Sequence, residues 1–254
     1  MPVQAHAEEF RHPGVGDNAM TGVLLSHGFT GSPYSMRPFA EYLADRGFGV
    51  AVPRLPGYGT RWQELNATRW QDWYAVLDNE LERLRKEHSK VVVAGLSMGG
   101  CLVLRLAEEH GSDIDGVVVV NPSVSTEDRR LAVLPVLKML VPSFPGIVDD
   151  IKKPGATEHG YDRMPLKALY SLTQLWKLTC DDLAKVTQPL LLFRSVTDHV
   201  VEPSSSRRVL QGVSSRDVTE TLLENSYHVA TLDNDAPRIF ADTAAFVTRV
   251  SRDA

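Results

Sequence analysis

The chain has 254 residues, 43% of them hydrophobic and 23% charged, with 27 basic and 32 acidic side chains giving a net charge of −5. That is enough for one sizeable α/β domain over residues 1–254 with an insertion, and it excludes disordered and collagen-like classes. The mildly acidic balance, without any basic block, argues against a nucleic-acid partner.

The opening segment, Pro2–Phe10, is polar and acidic and lacks the apolar core of a cleaved signal. The longest apolar stretch, Leu131–Val141, contains Pro135 and Lys138 and is too short to span a bilayer. The expectation is a soluble, cytoplasmic protein with no integral membrane segment. Strand-like runs then recur at Val23–Ser26, Gly49–Pro53, Val91–Leu96, Val117–Asn121, Leu190–Phe193 and Val218–Leu223. Helical patterns lie between them at Tyr34–Arg46, Trp70–Glu87 and Gly99–His110, with a last one at Pro237–Val250. Continuous apolar strands alternating with helices predict a mostly parallel sheet covered on both faces, with the chemistry in loops at its carboxyl edge.

Three of those loops carry candidate chemistry. Val91–Leu96 runs into Gly95-Leu96-Ser97-Met98-Gly99, the G-x-S-x-G spacing of a nucleophile elbow between a buried strand and a helix. Val23–Ser26 runs into His27-Gly28-Phe29, where the α/β-hydrolase fold places one oxyanion-hole N–H; the residue after the nucleophile supplies the other. Phe29 and Met98 are therefore the expected backbone donors. Asp198 follows the strand Leu190–Phe193 and His228 follows the last strand, in the order Ser…Asp…His that this fold uses. Asp233 and Asp235 compete with Asp198 as the orienting acid, and Asp235 is expected to begin the last helix. His27 reads as structural, His199 as a loop residue, and His6, His12, His88, His110 and His159 as tail, helix-end or insertion residues. No H-E-x-x-H and no Cys/His cluster occurs, so no metal is expected, and Cys101 reads as a small buried apolar group.

The strand–helix alternation breaks at about residues 122–183. An insertion at this place would form a lid over the nucleophile, with a helix at Leu166–Leu178. Its surplus of Leu, Val and Met around Leu131–Val141 predicts that part of the stripe lines an acyl-chain tunnel while the rest packs the insertion down.

Five segments together extend the picture: His27–Pro33, Pro53–Thr60, Gly95–Gly100, Asp198–Val201 and Asn225–Asp233. They resemble the bacterial monoacylglycerol lipases and the related small thermostable carboxylesterases, and the likeness spans nearly the whole chain from about Gly22 onward. The resemblance implies hydrolysis of glycerol monoesters, or of short to medium acyl esters, with no cofactor. It also implies that an acidic lid residue, Glu158 here, contacts the glycerol hydroxyls. The expected activity is thus serine esterase action on a small-molecule or lipid monoester, with transient contact with lipid surfaces. A general carboxylesterase and a non-catalytic small-molecule-binding relative are the rival readings.

Overall fold

The structure is a computed structural model and describes residues 3–252. The chain begins with strand β1 (Phe10–Pro13), β2 (Thr21–Ser26), helix α1 (Arg37–Ala44) and β3 (Gly49–Val52). Then come the short α2 (Trp62–Leu65), α3 (Trp70–Glu87), β4 (Lys90–Leu96), α4 (Met98–His110) and β5 (Gly116–Val120). An excursion from the sheet follows, with α5 (Leu134–Leu140), the two-stranded β6 (Ser143–Pro145) and β7 (Arg163–Pro165), and α6 (Leu166–Asp182). The chain closes with β8 (Leu190–Ser195), α7 (Pro203–Gly212), β9 (Val218–Leu223) and α8 (Ala236–Arg252).

Seven strands form one sheet in the order β1-β3-β2-β4-β5-β8-β9. Every pairing is parallel except that of β1, which runs antiparallel to β3 at the edge. Strand alternation sends side chains to two separate cores. Val91, Val93, Val117 and Val119 meet Trp73, Leu77 and Leu81 of α3 and the apolar face of α4. Val92, Ala94, Val118 and Val120 meet Phe39 of α1 and Ile239 and Phe240 of α8. Both faces of the inner strands are therefore buried, which is why they read as unbroken β-branched runs. The expected mostly parallel sheet with helices on both faces is what the chain builds.

The aliphatic stretch Leu131–Val141 behaves differently from its expectation. Leu134 is buried and Leu131 lines the central cavity, but Val133, Val136, Met139 and Leu140 are 60–78% exposed. A helix of two turns can turn one face inward, and the remaining apolar residues of α5 point to solvent. Most of the apolar lining of that cavity comes from Met164, Leu169, Leu172 and Trp176 on β7 and α6.

Candidate active site

Strand β4 and helix α4 meet at Ser97 with almost no space between them. Ser97 has φ 56° and ψ −118°, a left-handed conformation that a residue with a Cβ adopts only under strain. The flanking glycines are explained by contact distance. A Cβ on Gly95 would sit 2.2 Å from the Gly99 carbonyl oxygen, and one on Gly99 would sit 2.3 Å from that of Ser26. The Ser97 N–H donates to the Val120 carbonyl at 2.9 Å, and the Ser97 carbonyl accepts from the Ser123 N–H at 3.0 Å, so the elbow is tied to the end of β5.

The loop after β9 carries His228 back over this turn. His228 Nε2 lies 2.9 Å from Ser97 Oγ, and Nδ1 lies 2.8 Å from Asp198 Oδ2. Asp198 also accepts the Val200 and Val201 N–H groups at 2.8 Å each. A carboxylate accepts only, so it fixes the proton on Nδ1 and leaves the Nε2 lone pair for the serine hydroxyl. Burial raises the Asp198 carboxyl, but His228 and the two amides outweigh it and hold it below the usual range. Burial lowers His228, and Asp198 first, then Glu158 and Asp150, overcome that and raise it above its ordinary value. The arrangement can move a proton off a hydroxyl as its oxygen attacks an electrophile.

The loop after β2 passes close to the serine, with a Cβ on Gly28 only 3.3 Å from Ser97 Cβ. Among the described residues, neither the Phe29 nor the Met98 N–H donates to a protein acceptor, so both remain available to an incoming oxygen atom. His27, expected to be structural, is fully buried, with Nδ1 3.0 Å from the Gly28 carbonyl oxygen and Nε2 accepting the Leu55 N–H at 3.4 Å. Burial drops it to about 4, so it stays neutral and serves to brace the loop.

A cavity of about 380 Å³ opens beside Ser97 and His228. Glu158 lines its polar side and is itself buried. Burial lifts its carboxyl to about 7, against the favourable pull of His228. Asp150 and His199 complete that polar side.

Three further residues hold the site, and sequence reasoning gave none of them this place. Asp150 accepts the His228 N–H at 3.1 Å through Oδ2 and holds His199 Nδ1 at 2.7 Å through Oδ1. Asn121, at φ 44°, accepts the Ser195 N–H at 2.7 Å and donates to the His228 carbonyl at 2.8 Å. Asp233 accepts four amides, those of Lys152, Lys153, Tyr227 and Asn234, at 2.7–2.9 Å. Those contacts commit Asp233 to the backbone and leave His228 to Asp198. Asp235 stands just before α8 and accepts the Asn225 N–H at 2.9 Å. His199 is a loop residue, as expected, but an anchored one. A signal for these roles would have been the polar residues clustered at strand ends, although their partners lie up to 107 positions away.

The family described as "Serine aminopeptidase, S33" matches residues 17–235. The chain is 39% identical over 248 residues to the thermostable monoacylglycerol lipase of Bacillus sp. (strain H-257), covering 98% of this chain and 97% of that one. It is 26% identical over 241 residues to the carboxylesterase of Bacillus subtilis (strain 168), covering 92% and 94%. A solved structure from work on LipS and LipT, two metagenome-derived lipolytic enzymes, superposes with a TM-score of 0.93 at 36% identity, covering 98% of this chain and all of that one.

Proposed function

The chain belongs to the serine aminopeptidase, S33 family of hydrolases and has the α/β-hydrolase fold, and from that membership we propose that it hydrolyses carboxylic monoesters, monoacylglycerols foremost, to glycerol and a fatty acid. The observation that carries this reading is the unbroken contact from Asp198 through His228 to Ser97 at 2.8 and 2.9 Å, opening on a cavity with a buried carboxylate.

Ser97 Oγ attacks the ester carbonyl carbon while His228 Nε2 takes the hydroxyl proton, and Asp198 stabilises the imidazolium. The Phe29 and Met98 N–H groups receive the oxyanion, and being backbone donors they need no reorganisation as charge develops. The bond to the alcohol oxygen then breaks, with the proton passing from His228 to the departing glycerol. Water repeats the sequence on the acyl-enzyme: His228 takes its proton, the hydroxide attacks, and Ser97 leaves reprotonated as the fatty acid departs. Glu158 supports the glycerol assignment, since a carboxylate accepts only and can receive both free hydroxyls of the head group.

The segment between β5 and β8 acts as a lid in this reading. It exposes Val136, Met139, Leu140 and Phe144, apolar side chains suited to resting on a lipid surface while substrate is drawn in. Among the described residues no helix is long and apolar enough to cross a membrane. A cytoplasmic location belongs to this reading, and the unpaired thiols of Cys101 and Cys180 support it, since they suit a reducing compartment. The test is a rate panel over monoacyl-, diacyl- and triacylglycerols and p-nitrophenyl esters. The highest kcat/KM on monoacylglycerols is expected, and a preference for p-nitrophenyl esters of equal acyl length would move the reading to a general carboxylesterase.

A further inference from the structure

The cavity beside Ser97 has a second hollow behind it. A groove of about 810 Å³ is lined by the loop after β5, by residues of α6 and by Arg208 of α7. Thr126, Asp128, Leu131 and Trp176 line both the groove and the cavity, so these four form the partition between them.

Two members of the partition are polar, and both are occupied with protein partners. The Thr126 hydroxyl donates to Glu202 Oε1 at 3.2 Å, and Asp128 accepts two bonds from Arg130 through Oδ2 at 2.8 and 3.0 Å. The apolar members are the Leu131 side chain and the Trp176 indole, and Leu169 and Leu172 line the same cavity. Trp176 sits on α6, a helix of 17 residues packed on α4, so the ring is held in place. Its Nε1 is buried with no acceptor among the described residues, although a buried indole N–H normally finds one.

We propose that Trp176, together with Leu131, is the end wall of the acyl site and sets the longest straight acyl chain the enzyme accepts efficiently. The inference rests on the ester-hydrolase reading above and adds a specificity-determining residue to it. The cavity lining joins Glu158, Asp150 and His199, polar groups suited to the alcohol, with Leu131, Met164, Leu169, Leu172 and Trp176, apolar groups suited to the acyl chain; Asp128 and Arg130, which also line it, are paired with each other. Each methylene seated against those apolar groups should raise kcat/KM by about fourfold, from a transfer free energy of about 0.8 kcal/mol. Once the chain tip meets the ring, further carbons must fold back and the gain stops.

The experiment measures kcat/KM on p-nitrophenyl esters from butyrate to palmitate, normalised to each variant's own butyrate rate. Wild type should climb by about fourfold per methylene and then break. Trp176→Ala opens the cavity into the groove and should move the break to longer chains by at least two methylenes, raising the palmitate-to-butyrate ratio by about 15-fold or more. Leu131→Trp should move the break to shorter chains, and Trp176→Phe, which keeps a ring, should stay nearer to wild type. Leu131→Trp and Trp176→Phe carry the test if the alanine variant does not fold. A break at the same length in Trp176→Ala and Leu131→Trp as in wild type would overturn the proposal. A wild-type protein that hydrolyses none of these esters would overturn the ester-hydrolase reading itself, a result distinct from an unmoved break.

Discussion

Replacing Glu158 with Gln should make the protein more stable and less able to recognise glycerol, and both effects can be worked from the site. The Glu158 carboxyl is raised from 4.5 to about 7 by burial. The native state therefore holds a proton more tightly than the unfolded chain, and stability falls as pH rises from about 4.5 to 7. Above that window the buried charge costs up to about 3 kcal/mol, taking 1.36 kcal/mol per unit. Glutamine cannot ionise, so the variant escapes this cost. Thermal unfolding should give nearly equal Tm values for both proteins near pH 4.5, diverging to roughly 5–10 °C in favour of Glu158→Gln above pH 8. Under the proposed function the same substitution also removes the charge-assisted hydrogen bonds that the ionised carboxylate would make to the head group above pH 7, each worth about 1.5–3 kcal/mol. The kcat/KM ratio of a monoacylglycerol to a p-nitrophenyl ester of equal acyl length should then fall by about 10-fold or more. Using the ratio cancels the change in His228, whose affinity for protons Glu158 also raises. A Tm difference that stays flat with pH, together with equal losses on both esters, would refute the reasoning.

Other perturbations separate the chemistry from its support. Ser97→Ala should lose about 10⁴–10⁶-fold in kcat while keeping the wild-type melting curve, since only a hydroxyl is removed. Asp198→Asn should cost about 10⁴-fold in kcat and, by removing the main influence that raises His228, move the acid limb of the kcat/KM profile to lower pH. Asp233→Asn should instead destabilise the fold by about 1–3 kcal/mol through its orphaned amides, read as a lower Tm, with a smaller loss of kcat in the folded enzyme. If Asp233→Asn matched Asp198→Asn in kcat at equal foldedness, Asp233 would be the orienting acid. Gly99→Ala places a methyl group 2.3 Å from the Ser26 carbonyl oxygen and should destabilise by about 3 kcal/mol or more, read by urea unfolding.

The sheet was legible because its inner strands are buried on both faces. Val218–Leu223 and Trp70–Glu87 have the bounds their patterns predict, and the serine, acid and histidine come together in the expected chain order. What escaped sequence reading follows a physical pattern. Strand β1 is four residues of edge, half exposed and ending in Pro13, so it shows no apolar run. Helix α7 begins at Pro203 with three serines, a composition that reads as loop until Ser205 and Ser206 are seen to be buried. Asp150, Asn121 and Asp233 work through backbone groups brought near only by the fold, and no local pattern marks a carboxylate that will accept amides some 80 positions away. The outward face of α5 escaped for the opposite reason, because its aliphatic composition reads as buried while its position exposes it.

In the proposed reaction a single serine, Ser97, becomes covalently acylated. Incubation with a fluorophosphonate followed by intact-mass and peptide mapping tests it directly. One adduct per chain is expected, on the peptide that contains Ser97, with rapid labelling in wild type and none in Ser97→Ala. An adduct on another residue, or undiminished ester hydrolysis by Ser97→Ala, would contradict it.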